Sequence, residues 1–134
     1  MLATIKSAGD FPHQEIPVIM LDDTIDSKDR IDASGVPKPS ASRGGFVGVS
    51  VPLQEGIFDK QNSKFDPDPV FPEEPQVIHK LALKKPAGGY PSLFRLFEYP
   101  SALLIPAAVQ AKLQAAGIRG ATYTPASQYK TGKQ

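Results

Sequence analysis

The sequence predicts an α+β domain: a mostly antiparallel, twisted sheet with one main helix packed on it near the C-terminus. Three observations lead there. Residues 103–125 (LLIPAAVQAKLQAAGIRGATYTP) read as one helix with both ends encoded, followed by a strand. Among the 14 prolines, Pro12, Pro17, Pro37, Pro39, Pro52, Pro67 and Pro69 precede residue 70. Proline removes a backbone donor and clashes inside a helix, so long helices are disfavoured there. Short apolar or alternating runs bounded by Pro and Gly then supply the strands.

In chain order, residues 16–21 (IPVIML) are an apolar run suited to a buried strand. Residues 33–45 are a loop by composition. Residues 45–53 alternate Phe46, Gly48 and Ser50 against Val47, Val49 and Val51, a half-buried strand closed by Pro52. Ile57 and Phe58 form a small anchor. Residues 59–75 read as a polar, proline-broken connection, with Phe65, Val70 and Phe71 as anchors. Residues 76–85 are the next strand, with Val77, His79, Leu81 and Leu83 sharing one face. A turn at Gly88 and Gly89 leads to a strand over 92–99, ended by Pro100. A short strand over 101–105 precedes the helix, and 121–124 follow it as the last strand. The domain covers residues 1–125, and 126–134 (ASQYKTGKQ) are a polar tail.

The helix ends follow from backbone chemistry. Pro106 suits the first helical position, where the missing N–H costs nothing. Leu104 and Val109 then have the spacing of a hydrophobic staple. Gly117 suits the left-handed residue after the helix, and Ile118 can pack back on Leu113. Val109, Leu113 and Ala116, widened by Ala108 and Ala115, form an apolar stripe able to lie close to a sheet.

Charge is uneven. Residues 1–74 hold 13 acidic and 7 basic side chains, a net of −6, whereas residues 75–134 hold Glu98 alone against 8 basic ones, a net of +7. Such a division can steer a charged partner. Cysteine is absent, which excludes disulfides and thiol chemistry. The N-terminus lacks an apolar signal-peptide core, and no run approaches the ~18 apolar residues of a membrane helix. The cytoplasm is therefore the expected compartment, with no membrane association.

Asp23, Asp26, Asp29 and Asp32 recur every third residue, with Asp22 beside them. The run does not match a calcium loop, since it lacks the D-x-[DN]-x-[DN]-G order and the closing glutamate. It reads instead as a solvated helix start or loop, or as an acidic partner surface. His13 and His79 are isolated in sequence and do not form a metal-ligand set. The glycine-rich stretches SRGGFVG and PAGGYP carry neither a dinucleotide nor a P-loop pattern. No cofactor or metal is expected. The basic half contains aromatics, but no RNA- or DNA-binding signature accompanies them, which argues against a nucleic-acid partner.

Residues 94–125 (FRLFEYPSALLIPAAVQAKLQAAGIRGATYTP) resemble the C-terminal module of a large bacterial immunity-protein family, encoded beside polymorphic toxins and type VI secretion effectors. The shared elements are the F-R strand, the small turn and short strand through Leu104, the alanine-rich helix, and the A-A-G-I-x-G-A close. Ile105 and Pro106 stand where the family usually has a serine. The resemblance implies a non-enzymatic role, stoichiometric binding of a cognate protein toxin that occludes its active site. It supplies no binding residues. Acidic character points to Asp22, Asp23, Asp26, Asp29 and Asp32, and to Asp66, Asp68, Glu73 and Glu74 in the proline-rich loop, as the surface for a basic toxin cleft. Two alternatives remain at this point. One is a small hydrolase using His79 or His13 with carboxylates of residues 22–32; the other is a structural or adaptor subunit of a phage or secretion assembly.

Overall fold

The computed structural model describes residues 1–131. Its elements are α1 (Leu2–Lys6), β1 (Gln14–Leu21), α2 (Ser27–Arg30), β2 (Ser42–Ser50), β3 (Leu53–Gln54), β4 (Lys64–Pro67), β5 (Pro75–Lys80), β6 (Phe94–Leu96), β7 (Leu103–Leu104) and α3 (Ala107–Ala115). Short 3-10 turns occupy Pro39–Ala41 and Ala126–Gln128. The class is α+β. The chain divides into two units, one of His13–Ser50 and one of the residues before and after it.

In the larger unit, β6 is the centre of a three-stranded sheet. It pairs in parallel with β3 (Leu53↔Arg95) and antiparallel with β7 (Phe94↔Leu104). The strands β4 and β5 form a separate antiparallel pair with two register breaks. Ile57, Phe58, Ile78, Leu81, Phe94 and Leu96 are the buried core, with Phe65, Leu83, Tyr90 and Tyr99 packed against it. Phe58 meets Phe65 edge-on at 5.5 Å and Tyr90 stacks on Phe94 at 5.5 Å, two arrangements that the ring quadrupole favours.

Several expectations are corrected here. Residues 59–75 contain β4, because Phe65 finds a partner strand and a core, while Val70 and Phe71 stay exposed. Period-2 alternation left open which face of residues 76–85 is covered, and the structure buries Ile78 fully while His79 is exposed. Only three residues of 92–99 are in a strand, and 121–124 are irregular because no neighbouring strand accepts their backbone. Residues 126–131 are anchored rather than loose. Thr131 Oγ1 accepts from Ile78 N at 2.7 Å, Thr131 N donates to Ile78 O at 2.9 Å, and Tyr129 packs edge-on against Tyr99. The rest of the expected tail, 132–134, lies outside the described residues.

The helix α3 ends as its residues dictate. Gly117 has φ +68°, Gly117 N donates to Gln114 O at 3.0 Å, and Ile118 N donates to Leu113 O at 3.1 Å. These are the two bonds of a Schellman close. The start is shifted by one: Pro106 is the N-cap in an extended conformation (ψ 152°), so Leu104 and Val109 are not at staple positions. The buried stripe is only Val109 and Leu113, with Ala108, Ala115 and Ala116 exposed. Its packing partner includes the unforeseen α1, tied by Lys112 Nζ to Ser7 O at 2.8 Å.

A Cβ at Gly117 would meet no heavy atom within 4 Å, so backbone strain alone decides a substitution there. Gly117→Val is expected to cost about 1–2 kcal/mol, seen as a lower thermal midpoint, and Gly117→Asn less, because Asn tolerates the left-handed region.

The smaller unit is a two-stranded antiparallel hairpin. β1 and β2 pair from Gln14↔Ser50 to Leu21↔Ser42, with an irregularity between Val18 and Met20. The long connection holds α2 and a bridge between Ile31 and Pro37. The apolar run 16–21 was expected to be buried, yet seven of the eight β1 residues are exposed and Val18 is half-buried. β2 is likewise mostly exposed, with Gly48 and Val49 half-buried.

Candidate functional site

The acidic segment is built from local turns. Asp22 Oδ1 accepts from Thr24 N at 3.0 Å and from Thr24 Oγ1 at 2.6 Å. Asp26 caps α2 through Lys28 N at 3.2 Å and lies 3.8 Å from Lys28 Nζ. Asp32 Oδ1 accepts from Ser34 Oγ at 2.6 Å, Ser34 N at 2.9 Å and Val36 N at 3.0 Å. The hydroxyl of Thr24 holds the Asp22 carboxyl below its ordinary pKa, and the hydroxyl of Ser34, then the Val36 amide, do the same for Asp32. Arg30 pins the turn from inside, donating to Ile25 O and, at 2.8 Å, to Asp23 O. Within the every-third-residue run Asp26 and Asp32 hold turns with their side chains, as Asp22 does beside it. Only the carboxylates of Asp23 and Asp29 are left without a partner among the described residues.

The second acidic group lies in the larger unit. Asp66 on β4 meets His79 Nε2 on β5 at 3.0 Å, with both side chains more than half exposed. Asp68 accepts from Val70 N at 2.8 Å and Phe71 N at 2.9 Å, and these amides lower its pKa, Phe71 foremost. Glu73 pairs with Lys60. The Glu74 carboxylate has no partner among the described residues.

The surface that sequence reasoning missed is the hairpin itself. Ile16, Ile19, Met20, Phe46 and Val47 are each 48–54% exposed. Two-stranded hairpins are marginal alone and gain stability when a third strand or a packed face is added. The clue in the sequence was composition: Pro17 in β1, and Gly44, Gly45 and Gly48 in β2, are poor choices for a sheet interior.

A cleft of about 680 Å3 in the larger unit is lined by Leu81, Leu83, Tyr90, Phe94, Gln110 and Tyr123, among others, and among the described residues no Asp, Glu, His, Lys or Arg borders it. The Tyr123 hydroxyl is buried without a hydrogen-bond partner. General acid–base chemistry needs convergent titratable groups, and the histidines stand elsewhere. His79 faces Asp66, and His13 lies 3.2 Å from Glu15. Among the described residues no three His, Asp or Glu side chains are grouped to hold a metal, and no described helix is long and apolar enough to cross a membrane. Comparison with protein-family models, curated proteins and solved structures finds no match to this chain.

Proposed function

We propose that this chain acts by covering another protein: it is an immunity protein that binds a cognate secreted toxin and occludes its active site. The observation that carries this reading is the hairpin of β1 and β2, which exposes Ile16, Ile19, Met20, Phe46 and Val47 beside a loop with two unpartnered carboxylates. Exposed large apolar side chains on a strand pair, with free charge beside them, are the composition of a protein-binding surface. The resemblance of residues 94–125 to the immunity family supports the choice of partner. The interface assigned from acidic character narrows accordingly. Asp22, Asp26, Asp32 and Asp68 cap turns, Asp66 and Glu73 are paired, and Asp23, Asp29 and Glu74 remain available.

The test is co-expression with the product of the adjacent toxin gene, followed by co-purification and a growth assay. One-to-one capture and restored growth are the expected results. A toxin fully active in the presence of excess chain would refute the reading, and self-assembly into a large particle would favour a structural subunit. In the complex, Asp23→Asn with Asp29→Asn is expected to slow association roughly three- to tenfold at low salt. The difference should vanish at high salt, because exposed charges are screened. Neither residue holds a turn, so the fold is preserved.

A further inference from the structure

The hairpin offers a toxin more than an apolar face. The sheet to which β2 belongs has only one other strand, β1, among the described residues. In an antiparallel pair, alternate residues point both N–H and C=O away from the partner strand. Between the Val18–Phe46 and Met20–Arg43 pairs β2 has one residue more than β1, a bulge at Gly44 and Gly45, where Gly45 has φ +82°. From Phe46 to Ser50 β2 therefore presents a row of unpaired backbone donors and acceptors along its outer edge, over five residues or roughly 17 Å. The two outer edges are not equivalent. Pro17 lies within the paired part of β1, opposite Val47, and proline is tolerated in a sheet where its N–H side faces outward. The outer edge of β1 thus lacks a donor in its middle, whereas Phe46–Ser50 contains neither proline nor charge, and the bulge and Arg43 protect only the start of β2.

Resting on the proposed function, we infer that the outer edge of β2 receives an extended segment of the toxin as a third strand, with apolar side chains set against Phe46 or Val47 and a Lys or Arg at the end beside residues 22–32. Charge decides the occupant. The acidic segment starts where β2 starts, since Leu21 pairs with Ser42 and Asp22 N donates to Ala41 O at 2.9 Å. The His13–Ser50 unit holds six acidic residues against four basic ones. A basic flank on the incoming strand meets Asp23 and Asp29 there, while a second copy of β2, pairing antiparallel about a two-fold axis, would set its acidic loop beside the Val49–Ser50 end, where the facing β1 residues are Glu15 and Gln14 and offer it no cation. Main-chain bonds supply affinity and alternate side chains supply selectivity, as in other strand-addition complexes.

Residue-resolved amide exchange on the full chain, free and bound to the toxin, tests this. Every second amide of Phe46–Ser50 should slow by about tenfold or more on binding, while amides of β5 in the other unit keep their rates. If the complex forms and the outward amides of β2 exchange as before, strand addition is wrong and the toxin-binding function stands. If no complex forms, both fall. Protection of the same amides that grows with the concentration of the free chain would assign the edge to a second copy and overturn the inference.

Discussion

Leu96→Ala is expected to lower stability by about 2–5 kcal/mol. Leu96 is fully buried. It sits on the central strand of the three-stranded sheet, opposite Gln54 on β3 and two residues from the Phe94–Leu104 pair on β7. Strands on both sides hold the backbone in place, so the void cannot collapse readily, and the cost is the lost transfer energy plus an unrelaxed cavity. Leu103→Ala is the control. It removes the same atoms from β7, but Leu103 is 61% exposed, and its loss should stay within ~0.5 kcal/mol. Urea unfolding followed by tyrosine fluorescence measures both. All four tyrosines lie at positions 90, 99, 123 and 129, and no tryptophan is present, so the signal reports the larger unit alone. The midpoint should fall with the slope unchanged. Equal losses for the two variants would mean that β6 is not the centre of the core.

What was legible in the sequence was local. The Schellman close at Gly117 and Ile118 was readable because its bonds span five residues and need only a glycine and an apolar neighbour. The D-x-[ST] spacing at Asp22–Thr24 and Asp32–Ser34 was equally local, and marks side-chain-capped turns more directly than the three-residue period of the aspartates does. The errors were non-local. Alternation identifies a strand without saying which face is covered, so it could not choose between Ile78 and His79, and the apolar run 16–21 was expected to be buried. Residues 121–124 have strand composition and no partner strand. The docking of Tyr129 and Thr131 depends on β5, some fifty residues away, and nothing in ASQYKTGKQ signals it. For the candidate site the same division holds: its charges were visible in the sequence, but the exposed apolar arm beside them was not.

Phe46→Thr is expected to weaken toxin binding by at least about tenfold, the largest functional effect of any single exposed residue. Phe46 pairs with Val18 across the hairpin, and about half of its surface is open. An aromatic side chain already held by a strand gives up little conformational freedom on binding, which is why such residues dominate interfaces. Threonine keeps the β-branched strand preference, so the substitution removes apolar area without inviting the hairpin to open. Val47→Thr is the companion. Val47 is the next residue, opposite Pro17, so its side chain lies on the other face of the two-stranded sheet. If the toxin covers one face, one variant loses affinity and the other does not, and the aromatic face is the expected one. Strand addition along β2 supplies main-chain bonds that neither substitution removes, so the Phe46→Thr complex stays measurable. Calorimetric titration of each variant with the toxin, with cross-strand amide shifts confirming an intact β1–β2 ladder, separates these outcomes. Unchanged affinity for both variants would remove the hairpin from the interface and return the search to Glu74 and the Asp66–His79 surface of the larger unit.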